Sequence, residues 1–356
     1  MRLLRRLLDL PRYNRESLLL RDLVRLWHDD SGGIRLSSGW IQRLRCVKCH
    51  EPFKLDGWGD QDARKASRVE VKCSACKVTY SVEDGILNFG VSDPFYDEHG
   101  FTRPGRDFSS GLIGKLGLYF SRHHYLNDIS RAIAPGSTVI EVGCGGGSRY
   151  LASHFDTLGV EVSATSVRHA AGTYQSVAQA TSARLPVLDG CADAIVSSYV
   201  LEHFEDDIID QGLSEMARVL KPGGVMIHCF DIDNDGPFHR WARKQTWYSE
   251  VFVTKRGHFG LRSLDEWRNL FVKTGFEVEA SRCFCKTWLQ DLSIWGHLDD
   301  PSVGGIPRCL GKVSGAIRKT TGSASDVVVT LLDDCVDRWL PEDWASKVIM
   351  QLRKRA

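Results

Sequence analysis

Several classes of protein are excluded by what the 356-residue chain lacks. No uninterrupted apolar run approaches the roughly 20 residues that cross a bilayer, so no transmembrane segment is expected. The N-terminus alternates Arg2, Arg5 and Arg6 with leucines and has no clean apolar stretch, which argues against a signal peptide. Charge of one sign is not in excess: 46 basic residues face 45 acidic ones, a net +1. No global basic field therefore calls for nucleic acid, although a local patch would still fit. With no secretory signal, the 11 cysteines indicate a reducing compartment. Thiols there serve as metal ligands or core residues rather than disulfides. The expected location is cytoplasmic. Hydrophobic residues at 42% and charged residues at 26% suit an ordinary globular chain, long enough for one large or two modest domains.

What is present divides into five segments. Residues 1–39 form a basic arm. Leu3, Leu4, Leu7 and Leu8 recur at helical spacing beside Arg2, Arg5 and Arg6, and a second stripe runs from Leu18 to Trp27 with Arg21 and Arg25. Such an arm suits peripheral contact with a membrane or a partner protein, or a helix packed on its own chain. Asp9, Glu16 and Asp22 argue against a mitochondrial presequence, which is poor in acids. Residues 40–92 carry Cys46, Cys49, Cys73 and Cys76 as two C-x-x-C knuckles, with Gly57 and Gly59 at the expected tip of the intervening hairpin. Two such pairs can offer four thiolates to one tetrahedral Zn2+, and four thiolates leave no open position, which marks a structural site. The flanking Leu44-Arg45-Cys46 and the segment from Tyr80 to Leu87 resemble the Trm112-like zinc ribbons. A unit so small would draw most of its folding energy from the metal.

Residues 93–280 read as the main domain. A helical lead-in carries Leu116, Leu118, Tyr119, Phe120, Tyr125, Leu126 and Ile129. His123 and His124 are neighbours that a helix points in different directions, so they do not suggest a metal site. After Pro135 and Gly136, the run Val139-Ile140-Glu141-Val142-Gly143-Cys144-Gly145-Gly146-Gly147 joins a buried strand to a glycine turn. Ser148 stands where a dinucleotide fingerprint would place its third glycine. The spacing E-x-G-x-G-x-G instead resembles motif I of the class I S-adenosylmethionine-dependent methyltransferases. Three later stretches agree with that family in order and spacing: the strand ending at Glu161, the segment Ser197-Ser198-Tyr199-Val200-Leu201-Glu202-His203-Phe204, and the turn Leu220-Lys221-Pro222-Gly223-Gly224. Ser263 and Glu266 have capping-box spacing, and Gly275 suits the helix stop that follows.

The expected fold is α/β: a Rossmann-like, doubly wound, seven-stranded sheet with an N-terminal zinc ribbon. Residues 281–346 would be a helical insertion capping the substrate, and residues 347–356 the final strand. The resemblance implies an S-adenosyl-L-methionine site made by Glu141, Gly143, Cys144, Gly145, Gly147, Glu161, Val162, Ser182, Ala183, Tyr199 and Val200. Glu161 would accept hydrogen bonds from the ribose hydroxyls. Relatives carry an aspartate near position 182 for the adenine amine, where this chain offers Thr181 or Ser182. His203 is the candidate general base for an oxygen nucleophile; nitrogen nucleophiles can dispense with one. His228, Asp231, His239 and His258 fall on or after the fifth strand, where substrate would lie. Trp241, Trp247, Tyr248 and Phe252 suit a pocket or, more simply, core. Cys283 and Cys285 have no second pair to complete a metal site.

Transfer to O or N of a small or medium-sized lipid-, quinone- or sugar-like acceptor agrees with the near-neutral charge and the apolar insertion. An RNA methyltransferase using the ribbon as its grip is the alternative. The ribbon's Lys48, Lys54, Arg64, Lys65, Arg68, Lys72 and Lys77 are, however, interleaved with Glu51, Asp56, Asp60, Asp62 and Glu70. A non-catalytic scaffold with a partner-binding ribbon is the third reading, opposed by the intact glycines and Glu161.

Overall fold

Val139, Ile140 and Glu141 lie on a strand buried at every position, β4 (Thr138–Val142), and the rest of the chain is built outward from it. The computed structural model describes residues 38–53, 68–99, 124–287, 292–321 and 323–355. The expectations for the arm at 1–37, for Lys54, Asp56, Gly57, Gly59, Asp60, Asp62, Arg64 and Lys65, for Leu116, Leu118, Tyr119, Phe120 and His123, and for residues 288–291 of the expected insertion fall outside these residues.

Beside β4 lie β5 (Asp156–Glu161), β6 (Ser176–Gln179) and β7 (Ala192–Ser198), all parallel, followed by β8 (Leu220–Asp231). Two antiparallel strands complete this side, with β10 (Lys347–Lys354) inserted between β8 and β9 (Phe276–Phe284). Among the described residues the expected seven strands are thus seven of ten. The ribbon segment supplies β1 (Arg68–Lys72), β2 (Thr79–Glu83) and β3 (Ile86–Asn88), giving the order β1-β2-β3-β6-β5-β4-β7-β8-β10-β9. The physical reason is an edge: β3 pairs in parallel with β6, Leu87 opposite Ala178, and covers backbone groups that an open edge would leave unpaired.

The same join continues through the side chains. Trp40, Leu44, Phe53, Tyr80 and Leu87 belong to one hydrophobic cluster with Ile140, Leu158 and Val187. The buried Arg45 guanidinium contacts Asp189 and Glu215, each at 3.3 Å.

Local signals explain the helices. Ser148 caps the helix Arg149–His154, accepting from the Leu151 amide, and Ser263 forms a complete capping box with Glu266 on Leu264–Lys273. The helix Asp206–Val219 opens on Asp206 and Asp207, acids that favour the positive end of its dipole. After β9 come the helices Leu292–His297, Gly305–Thr321 and Ser323–Val336. The buried Asp333 carboxylate accepts the Thr287 amide at 2.9 Å and ties the last of them to the chain just past β9. No helix among the described residues is long and apolar enough to cross a membrane.

Candidate functional site

The turn after β4 adopts backbone angles that side chains resist: φ is +62° at Gly143, +53° at Gly145 and +81° at Gly147. Space is short as well. A Cβ on Gly143 would lie 2.5 Å from Val200 Cγ2, so this glycine and Val200 are in close contact. The Cys144 thiol is buried, and its amide donates to Val160 O at 3.1 Å; it packs the loop on β5.

Two carboxylates fix the turn. Glu141, buried at the end of β4, accepts from the Tyr174 hydroxyl, whose oxygen in turn receives the Ser148 amide at 2.7 Å. Glu161, at the end of β5, accepts the Gly145 amide at 2.8 Å on Oε2. Its Oε1 receives the amides of Val162 at 2.9 Å and Ser163 at 3.1 Å. Glu161 is thereby held at the mouth of the glycine turn. Charge-assisted bonds of this kind are among the stronger ones in proteins.

Ser182 and Ala183 lie in the 3-10 turn Ser182–Arg184, with Thr181 capping it by accepting the Ala183 amide at 3.3 Å. Ser182 is buried and faces the helix Asp206–Val219: its Oγ would lie 3.6 Å from a Cβ on Gly212. Tyr199, just past β7, takes φ +59°, an uncommon conformation for an aromatic residue, and its amide donates to Cys229 O at 2.7 Å. The Lys347 ammonium sits 5.2 Å from the centre of its ring.

His203 lies in the turn Leu201–His203, and its Nδ1 is 2.9 Å from Gly257 O. A carbonyl can only accept, so Nδ1 carries a proton. His258 stacks edge-on at 5.0 Å and Tyr96 at 6.1 Å. Glu202, fully buried, has both carboxylate oxygens without a hydrogen-bond partner among the described residues. Burial, and then the nearby Asp231 charge, hold its carboxyl well above the usual range. His258 is pushed down to about 4 by burial and by Arg256 and Lys347.

The remaining candidates separate. His228 is completely buried on β8 and bonded through Nδ1 to Ser197 Oγ at 2.7 Å; burial pushes it down to about 3. It is a core histidine. His239, brought to about 4 by burial and Arg243, lies on the helix Pro237–Ala242 with its ring against Phe238. Trp247, Phe252 and Tyr248 form a small aromatic core with Phe238 and Trp295. His124 bonds to Asp334 at 3.2 Å. Cys283 and Cys285 join no group of metal-ligating side chains among the described residues.

Cys46, Cys49, Cys73 and Cys76 do converge, with all four sulfurs within 4.8 Å of one another. The Cys46–Cys76 and Cys49–Cys73 separations are 3.6 and 3.5 Å. A tetrahedral Zn2+ with bonds of about 2.3 Å sets its sulfurs about 3.8 Å apart, so the set fits such an ion. Burial opposes ionisation of Cys46, but the Tyr80 hydroxyl and the Cys49 and Lys48 amides outweigh it and bring the thiol to about 6. The Glu51 amide pulls Cys49 down, yet burial and the neighbouring thiols push it up to about 12. Four thiols this close do not all ionise unless a cation is present.

Tyr174, Tyr96 and Gly257 touch candidate residues without standing out in the sequence, and Glu202 stands in the Ser197–Phe204 stretch with no role of its own assigned from it. Tyr174 and Glu202 belong to no glycine signature, and Tyr96 and Gly257 come from distant segments that meet only in the fold.

Residues 118–281 match a family model described as a methyltransferase domain. The chain is 32% identical over 122 residues to a Mycolicibacterium smegmatis protein named probable S-adenosylmethionine-dependent methyltransferase, covering 32% of this chain and 46% of that protein. It is 38% identical over 96 residues to a Mus musculus protein named probable tRNA methyltransferase 9B, covering 26% of this chain and 21% of that one. The chain thus spans less than half the length of the curated relatives it matches. A solved structure of Haemonchus contortus phosphoethanolamine N-methyltransferase 2 with S-adenosyl-L-methionine aligns at a TM-score of 0.46 and 16% identity, covering 75% of this chain and 61% of that one.

Proposed function

We propose, for a chain whose residues 118–281 match a methyltransferase-domain model, that S-adenosyl-L-methionine binds over the ends of β4, β5 and β7. Its methyl group passes to O or N of a small or medium-sized lipid-, quinone- or sugar-like acceptor. The observation that carries this reading is the left-handed turn at Gly143, Gly145 and Gly147, fastened to Glu161 through the Gly145 amide. When bound, the cofactor supplies an electrophilic methyl group on a positively charged sulfur. The chain's part is to bind, align and exclude water.

Glu161, oriented by three backbone amides, accepts the ribose hydroxyls. Glu141, Cys144 and Val162 shape the turn around the cofactor, and Ser182 and Ala183 line its adenine side. Tyr199 and Val200 lie by the methyl group. His203 has its Nδ1–H committed to Gly257 O, so its Nε2 takes the proton of an oxygen nucleophile. Cys46, Cys49, Cys73 and Cys76 hold a structural Zn2+ that fixes the ribbon against β6. A cytoplasmic location with peripheral membrane or protein contact through the arm belongs to the same reading.

Incubating the zinc-loaded protein with methyl-labelled S-adenosylmethionine and a fractionated cell extract tests the acceptor. Label is expected in the lipid or small-molecule fraction. Label confined to ribonuclease-sensitive material would establish the RNA reading instead, and no label anywhere would support the scaffold.

A further inference from the structure

Glu202, His203 and His258 bring two imidazoles and a carboxylate together, their ligand atoms all within 4.8 Å of one another. Glu202 is fully buried, and neither of its oxygens reaches a hydrogen-bond partner among the described residues. A carboxyl in such a place is costly to ionise and keeps its proton unless a cation arrives to replace it. Asp231 adds a second carboxylate beside it, against which the Lys347 ammonium offsets one charge. His203 donates Nδ1–H to Gly257 O, the outer hydrogen bond that orients an imidazole for coordination through the other nitrogen. The segment bearing His258 is fixed too: the His258 amide donates to Val253 O at 3.1 Å, and the Gly260 amide donates to Glu202 O at 2.8 Å. No room remains at Gly260, where a Cβ would lie 2.3 Å from Phe204 O. The two ligand-bearing turns are therefore locked face to face.

We propose that Glu202, His203 and His258 form a binding site for a first-row divalent cation, separate from the four-cysteine cluster. Two imidazoles and one carboxylate suit Mn2+, Fe2+, Co2+ or Zn2+ and leave coordination positions open, whereas four thiolates close a site. The cation sits at the mouth of β7, where it would bind a hydroxyl-bearing acceptor and lower that hydroxyl's pKa so that its proton passes to solvent; with Nε2 engaged as a ligand, the cation takes over from the His203 imidazole the task of activating the nucleophile. This role in methyl transfer rests on the reading above; occupancy of the site does not.

The test is titration of the full-length protein, carrying only the one zinc per chain that the four-cysteine cluster holds, with Mn2+ alone, free Mn2+ being followed by electron paramagnetic resonance with no S-adenosylmethionine present. Binding of one Mn2+ per chain is expected, weakened by about tenfold or more in Glu202→Gln and His258→Ala and unchanged in His124→Ala, which lies outside the cluster. Bound Mn2+ in the unsubstituted protein should also show imidazole nitrogen modulation in its electron spin echo, a readout that does not depend on any variant folding. Absence of stoichiometric Mn2+ binding, equal binding by the variants, or bound Mn2+ without nitrogen modulation would each overturn the proposal. Failure to bind S-adenosylmethionine would leave this result intact and count against the methyltransferase reading alone.

Discussion

Glu161 shows how one side chain can be prepared for a ligand by the backbone around it. Three amides converge on its carboxylate from two separate segments, so the group is oriented before any cofactor arrives. Replacing it with alanine is expected to weaken S-adenosylmethionine binding by about 1–3 kcal/mol, the cost of lost charge-assisted hydrogen bonds. Unchanged affinity by calorimetry would remove it from the site. At this scale the sequence was legible wherever geometry restricts residue type. Gly143, Gly145 and Gly147 stand out because only glycine adopts their backbone angles without strain, and an acid closing a strand stands out from its apolar neighbours. Glu202 was not legible. Its importance comes from burial without partners, which depends on the Gly257–Gly260 turn packing across it and not on anything adjacent in the chain. His228 misled for a related reason: strand position alone does not say which face of β8 a side chain occupies, and this one faces Ser197 and Phe271 in the interior.

Among the elements, the ribbon and the insertion each hang on a titratable cluster. Metal content and melting measure the first. About one zinc per chain is expected, and chelation should lower the melting temperature in a single cooperative step, because the cysteine-bearing segment shares a hydrophobic cluster with the central strands. A metal-free protein with unchanged melting would contradict the ribbon reading. The two knuckles were legible from spacing alone, but the pairing of β3 with β6 was not, since edge pairing leaves no mark in local sequence. The insertion is anchored by Asp333, whose carboxyl burial and the Asp337 charge push up from 3.8 to about 8. Between those values the folded chain holds a proton that the unfolded chain has released. The associated stability is therefore complete below the window and is lost as pH rises through it. Relative to Asp333→Asn, the unsubstituted protein should lose melting temperature as pH is raised from about 5 to about 8. An equal slope in the variant would place the titration elsewhere.

The described residues form a ten-stranded sheet, and the match to a methyltransferase domain runs over residues 118–281, ending within β9. Seven strands follow from the βα alternation and the antiparallel pair after β8; the other three, β1 to β3, needed the structure, in which they continue the sheet through the pairing of β3 with β6. The arrangement places the glycine turn, Glu161, Tyr199 and the Glu202–His203 turn at the ends of neighbouring strands, where open α/β sheets bind ligands. The central claim is that this crevice binds S-adenosylmethionine, and calorimetric titration of the zinc-loaded protein with S-adenosylmethionine and S-adenosylhomocysteine tests it most directly. Saturable binding of both at one site per chain is expected. A folded, zinc-loaded protein that binds neither would contradict it.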